Sequence, residues 1–188
     1  SELAMRTVTT QVITRERTLP NGSTVLTTTH CNRWVEPLAT GVTPMYEALA
    51  RALQMVEMIC ATEQFRASYP PTIINITDGE ATCEQLQALA ERIRSVQTLH
   101  GNALLMNINL SKDASSRAVI FPSCIEELPE NRYARMLYEM SSQLPSRYEP
   151  MIMRSHPTAK CGPFRAMGYN ALIGDAIAIM NIGTITSM

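Results

Sequence analysis

The chain has 188 residues, of which 45% are hydrophobic and 18% charged, and its formal net charge at pH 7 is −1. This length and balance predict a single globular domain with its own core and argue against a disordered chain. The near-neutral charge gives no electrostatic reason to expect nucleic acid or an anionic membrane as partner, and no apolar run reaches the roughly 20 residues that span a bilayer.

The cysteines indicate neither a disulfide framework nor a zinc site. Their number is odd, they are widely scattered, and none form a CxxC pair. The N-terminus carries no secretory signal pattern. We therefore expect reduced, mostly buried thiols in a cytoplasmic protein; the five residues are Cys31, Cys60, Cys83, Cys124 and Cys161.

The first predicted element is a β-hairpin. Segments 7–12 and 23–27 are rich in threonine and valine, and the intervening pair Asn21-Gly22 tolerates positive φ and favours a tight reversal. Polar residues occur on both faces of these segments. We therefore expect a protruding hairpin at residues 5–30 that is added to the central sheet and is not part of it.

A helix and a buried strand are predicted next. Helical spacing of apolar residues predicts a helix over residues 45–62, with Thr43 as a candidate cap and Pro44 as its first residue. The β-branched run at residues 72–76 predicts a strand covered on both faces, as in parallel sheets. The apolar stripe expected on the helix consists of Leu49, Leu53, Val56 and Ile59.

The rest of the chain continues this alternation. A turn at residues 77–80 leads to a helix predicted over residues 83–99 and then to a buried strand at residues 103–108. Helices alternating with buried strands predict an α/β fold with a doubly wound, mainly parallel sheet. The later segments are predicted as a helix, a loop and a final helix, at residues 131–142, 145–164 and 170–181.

Two polar residues lie where such a sheet binds ligands. Asp78 comes directly after the predicted strand at residues 72–76, and Thr43 precedes the first predicted helix. Ligands of open α/β sheets bind beyond the carboxyl ends of the strands. A carboxylate, a hydroxyl and several waters are suitable ligands for Mg²⁺, which prefers six oxygens. Because Asp-Gly turns and Thr-Pro helix starts are also common structural features, spacing alone leaves both interpretations open.

The two loops together resemble a known family. Segments 41–45 (GVTPM) and 73–82 (IINITDGEAT) are similar to those of von Willebrand factor type A (vWA) domains, above all the bacterial group associated with tellurite resistance and with kinase or phosphatase genes. The resemblance implies a Rossmann-like vWA fold over residues 1–188. It extends through most of the chain, at residues 104–110, 121–123, 136–142, 169–171 and 181–184.

The resemblance implies a function as well as a fold. The family's metal-ion-dependent adhesion site (MIDAS) takes its ligands from three loops; Thr43 would supply the hydroxyl of the second, and Asp78 the carboxylate of the third. An acidic residue of a partner protein would then complete the coordination of Mg²⁺. The implied function is protein binding without catalysis, with a kinase or phosphatase of a bacterial stress or signalling system as partner.

The sequence departs from the family in two places. The family's first loop, an Asp-x-Ser-x-Ser motif after the first central strand, does not occur in these residues, so the site is expected to be incomplete in this chain. Val42 also stands where the family commonly has glycine. Without the first strand, a neighbouring strand edge would be open. We expect that edge to be covered by the missing N-terminal segment or by a second copy in a homo-oligomer.

Two other functions are compatible with the same residues. Asp78 could serve as nucleophile or metal ligand of a Mg²⁺-dependent phosphohydrolase, assisted by Lys112 and Asp113 after the next strand, although a complete catalytic set is not visible. Alternatively, the chain could be a structural half-domain that binds no metal. Metal-dependent phosphatase turnover that disappears in Asp78→Ala would favour the enzyme.

Overall fold

A computed structural model describes residues 9–18, 22–33, 44–79, 85–111, 116–156 and 162–184. The chain forms two compact units, residues 1–42 and residues 43–188. In the described part of the chain, no helix combines the length and the apolar character needed to cross a membrane.

The first unit contains the predicted β-hairpin. Strand β1 (Thr9–Thr18) pairs with β2 (Thr24–Arg33) in an antiparallel register. Gly22, in the turn, has a φ of 80°, which an Asn-Gly reversal favours. Nearly all described side chains of both strands are exposed, in agreement with the polar character of both faces.

The second unit is built around a four-stranded sheet. The strands of this unit are β3 (Thr72–Thr77), β4 (Gln97–Thr98), β5 (Gly101–Asn102), β6 (Leu104–Leu110), β7 (Val119–Ile120) and β8 (Met167–Ala171). The order in the four-stranded sheet is β3-β6-β8-β7, in which β3, β6 and β8 run parallel and β7 is antiparallel to β8. Strands β4 and β5 form a separate antiparallel pair.

Helices cover both faces of this sheet, and each face has its own apolar cluster. The helices are α1 (Met45–Ala61), α2 (Glu63–Arg66), α3 (Gln85–Ser95), α4 (Arg132–Met140), α5 (Glu149–Ser155) and α6 (Ile173–Thr184). On one face, Leu105 of β6 packs with buried residues of α1, α3 and α4; on the other, Met106 and Ile108 pack with residues of α5 and α6. The unit is therefore α/β, with a mainly parallel sheet between two helical layers.

A row of hydrogen-bonded polar side chains runs between β3, β6 and the end of α4. Nδ2 of the Asn75 side chain donates to Oδ1 of Asn107 at 2.9 Å, and Nδ2 of Asn107 donates to Oγ of Ser141 at 3.0 Å. Ser141 in turn donates to the carbonyl of Leu137 at 2.6 Å. Because Asn107 and Ser141 are fully buried, these bonds satisfy polar groups of both residues that have no access to water.

Three predictions about the type or bounds of an element were wrong. The expected loop at residues 145–164 contains α5, and the expected final helix begins as strand β8 before α6 starts at Ile173. The helix predicted over residues 83–99 ends at Ser95, since the chain then turns back through β4 and β5.

Two predictions about burial also need correction. Ile59 of α1 is 38% exposed, although Leu49, Leu53 and Val56 of the same stripe are buried. Strand β3 is only partly covered, and Ile76 is 46% exposed. The physical reason is that β3 is an edge strand of the described sheet, paired only with β6.

Candidate functional site

Three parallel strands end at the same edge of the sheet. Strand β3 ends at Thr77, β6 at Leu110 and β8 at Ala171. The register pairs Thr77 with Asn109, so Asp78 lies one residue beyond the last β3–β6 pair. In an open α/β sheet this carboxyl edge is where ligands bind. It is therefore the candidate functional site.

The turn after β3 presents an acidic side chain to solvent. The hydroxyl of Thr77 donates to the carbonyl of Gly79 at 2.9 Å and accepts from the amide of Gly79 at 3.2 Å. These bonds close a tight turn over the intervening residue. Thr77 is buried, whereas Asp78 is exposed. Asp78 thus follows the last residue of β3, and its role as a metal ligand stays a prediction.

Polar groups of β6 and β8 line the next part of this edge. Oδ1 of the buried Asn109 accepts a hydrogen bond from the amide of Asn170 at 3.4 Å, and the amide of Ser111 donates to the carbonyl of Ala171 at 3.0 Å. Asn170 has a φ of 52°, a left-handed conformation that asparagine tolerates better than most residues. It lies at an irregularity in the β6–β8 register, after which Leu110 pairs with Ala171.

A second carboxylate of this edge belongs to the start of α6. Oδ2 of Asp175 accepts from the amide of Leu172 at 3.0 Å. A carboxylate in the first turn of a helix is also favoured by the helix dipole. Asp175 thus has a structural role at the start of α6 that accounts for its position.

The other predicted site residue, Thr43, lies outside the described residues, as do Lys112 and Asp113 of the enzyme alternative. The distance between Thr43 and Asp78 therefore stays a prediction. Helix α1 begins at Met45, the first residue of the predicted range, and its N-cap is Pro44, one position after the expected cap. Within the described ranges, no three His, Cys, Asp or Glu side chains form a group that could hold a metal ion. The described carboxyl edge thus contributes Asp78 but not a complete metal site.

A cavity of about 290 Å³ opens beside Asn170. Its charged residues are Arg117, from the segment before β7, and Glu126 and Glu127, from the short helix at residues 125–127. This cavity was not predictable from the sequence, because its walls come from segments with no common spacing or motif. The full lining is Ser116, Arg117, Val119, Glu126, Glu127, Leu128, Pro129 and Asn170.

Glu127 is held in this wall by four hydrogen bonds to one oxygen. Oε1 accepts from the amide and hydroxyl of Ser123 at 2.9 and 2.6 Å, and from the amide and thiol of Cys124 at 3.3 and 3.5 Å. Partial burial opposes ionisation, but these bonds outweigh it and lower the pKa of the carboxyl. The same neighbourhood raises the pKa of the Cys124 thiol, chiefly through its hydrogen bond to Glu126. Cys124 is therefore a poor nucleophile, and Glu127 is a structural residue.

Comparisons of the chain with models of protein families, with curated proteins and with solved structures found no match. What the coordinates establish is an α/β unit with a four-stranded, mainly parallel sheet, compatible with a Rossmann-like fold. The vWA resemblance stays an interpretation of the sequence.

Proposed function

We propose that this chain is a vWA-like protein-interaction module that binds an acidic residue of a partner through Mg²⁺ at the carboxyl edge of its sheet. The observation that supports this most directly is the exposed Asp78, which follows β3 at that edge. A carboxylate is a hard oxygen ligand of the kind that Mg²⁺ prefers. The turn closed by Thr77 and Gly79 restricts the backbone around this carboxylate.

The proposed site depends on ligands from several sources. Asp78 and Thr43 would provide two of the six oxygens, water would provide others, and the partner carboxylate would occupy an open position. The Asp-x-Ser-x-Ser loop, absent from these residues, would strengthen the site if another segment supplied it. By resemblance, the partner is a kinase or phosphatase of a bacterial signalling or stress system in the cytoplasm. For these 188 residues alone, we expect weak Mg²⁺ binding, with a dissociation constant of about a millimolar.

Mg²⁺ titration calorimetry tests the proposal. We expect heat of binding from the native chain and at least about tenfold weaker binding from Asp78→Ala and from Thr43→Ala, because each substitution removes an oxygen ligand. Asp175→Asn is the matched control: it removes a carboxylate of the same edge but keeps an acceptor for the amide of Leu172. Absence of heat from the native chain, or equal binding by Asp78→Ala, would contradict the proposal.

The open edge of β3 supports a second part of the proposal, that the sheet is extended by another strand. In the described part of the chain, β3 pairs only with β6, so its other edge has unpaired backbone groups. Apolar side chains border this edge: Ile76 of β3 is exposed, and so is Ile177 of α6, the helix packed against β3. A second copy of the chain is one source of such a strand.

Sedimentation velocity over a concentration series tests the extension of the sheet. We expect concentration-dependent self-association of the native chain, and association weaker by about tenfold for Ile76→Lys, since a charge at an edge strand discourages pairing. Leu99→Lys is the control, because Leu99 is exposed but lies outside β3. A native chain that stays monomeric throughout, or equal association of both variants, would refute pairing between copies.

A further inference from the structure

Two arginine side chains converge at the amino edge of the sheet, opposite the candidate metal site. Nη1 of Arg94, near the end of α3, donates to the carbonyl of Ser141 at 3.3 Å, and Nη1 of Arg165 donates to the same oxygen at 3.0 Å. Ser141 follows α4, and Ser142 pairs with Leu105 at the start of β6. Because both guanidinium groups bond to one atom, their Nη1 atoms lie no farther apart than the sum of these distances.

Neither of the two positive charges forms an ion pair with an acidic side chain in the described part of the chain. The one ion pair in that part joins Arg92 to Glu57, and neither Arg94 nor Arg165 takes part in it. Both arginines are half-buried. Burial and the nearby Arg165 lower the pKa of Arg94, and Glu91 only partly opposes them. The charged form of Arg94 is thus disfavoured where it lies, and a bound anion would favour it.

The carbonyl groups at the C-terminus of α4 account for one arginine at Ser141 but not for two. The carbonyls at a helix C-terminus carry partial negative charge and commonly accept bonds from arginine. One guanidinium would satisfy that requirement without bringing a second charge close to it. Arg165 is also positioned by Tyr138, since its guanidinium lies over the Tyr138 ring, 4.9 Å from the centroid.

Several donors of the pair remain for a ligand. Each guanidinium has five N–H groups. Within the described residues, Arg94 uses Nε toward Ala90 and Nη1 toward Ser141, and Arg165 uses Nη1. Two adjacent guanidinium groups fit an oxyanion that accepts several bonds at once, and a phosphoryl dianion offers three oxygens and up to two charges.

We propose that Arg94 and Arg165 form a binding site for a phosphoryl group, separate from the carboxyl edge. Binding of the dianion balances the two positive charges and uses their remaining donors. The proposal does not depend on Mg²⁺ or on the vWA resemblance, because Asp78 lies at the opposite edge of the sheet.

Calorimetric titration with inorganic phosphate, at constant ionic strength in chloride, tests this site. We expect saturable binding by the native chain, and binding weaker by at least about tenfold for Arg94→Gln and for Arg165→Gln. Arg92→Gln is the matched control, since Arg92 is on the same helix but is exposed and paired with Glu57. Arg165→Lys keeps the charge and is expected to bind with intermediate affinity, which provides a test even if a glutamine variant unfolds.

A second series with O-phosphoserine, and with serine as blank, distinguishes the source of the phosphoryl group. Binding of phosphoserine as well as phosphate assigns the site to phosphate monoesters, and binding of phosphate alone assigns it to the free ion; both support the proposal. No saturable binding of either compound to the native chain would overturn it. So would an Arg92→Gln variant that loses as much affinity as the folded Arg94→Gln and Arg165→Gln variants.

Discussion

Replacing Asn107 by leucine is expected to lower the free energy of unfolding by about 2–4 kcal/mol. The side chain is fully buried and joins Asn75 to Ser141 through two hydrogen bonds. Leucine has a similar volume but no polar atoms, so the amide of Asn75 loses its acceptor and Oγ of Ser141 loses a donor. Ser141 is fully buried and Asn75 partly so, and leaving a buried polar group without a partner costs more than a hydrogen bond contributes when it is present.

Urea unfolding of Asn107→Leu, Asn75→Leu and the double variant measures this effect. We expect the double variant to be more stable than the sum of the single effects predicts, by at least about 1 kcal/mol, because replacing Asn75 removes one of the groups left unpaired. A loss below about 0.5 kcal/mol for Asn107→Leu would mean that the row of hydrogen bonds does not contribute to stability.

Phe121→Ala is expected to destabilise the protein by about 3–5 kcal/mol, through loss of buried apolar surface and the cavity that remains. The ring is 1% exposed, packs in the cluster over α5 and α6, and lies edge-on to the ring of His156 with centroids 5.6 Å apart. The backbone at this position is unusual, with a φ of 50°. Phe121→Gly should therefore be more stable than Phe121→Ala by about 1 kcal/mol, since glycine alone adopts this conformation without steric cost.

Ile152 provides the control for this comparison. It is fully buried in the middle of α5, where the backbone is helical. There the order should reverse, and Ile152→Gly should be less stable than Ile152→Ala by about 0.5–1 kcal/mol. Thermal or urea unfolding of the four variants checks both orders. If Phe121→Gly is the less stable of its pair, the left-handed backbone at this position does not determine the difference.

The elements with strong local signals were predictable from the sequence. The runs of apolar and β-branched residues in β3 and β6 predicted two strands, and helical spacing predicted α1 and α4 close to their observed bounds and α3 with an end four residues too late. Strand β8 was missed because it contains Gly168 and Asn170, two residues that are infrequent in strands. The short α5 was missed because Pro150 and its few apolar residues give too little helical pattern.

Position within the sheet was harder to predict than the elements themselves. Residues 72–76 have the composition of a strand covered on both faces, but whether a second neighbour is present depends on pairing, not on the strand's own residues. The position of Asp78 after a strand was predictable because the run of apolar and β-branched residues that forms β3 ends just before it. The convergence of Arg94 and Arg165 was not, because 70 intervening residues separate them and only the end of α4 brings them together.

Paramagnetic Mn²⁺ in place of Mg²⁺ gives the most direct test of a cation site at the carboxyl edge. Mn²⁺ also prefers carboxylate and water ligands, and it broadens the NMR signals of nearby nuclei even when binding is weak. We expect selective broadening of the amide signals of Gly79 and Ser111, little effect on Ser142 at the opposite edge, and loss of the selective effect in Asp78→Ala. Equal broadening at both edges, or an unchanged pattern in Asp78→Ala, would contradict the proposed metal-dependent function.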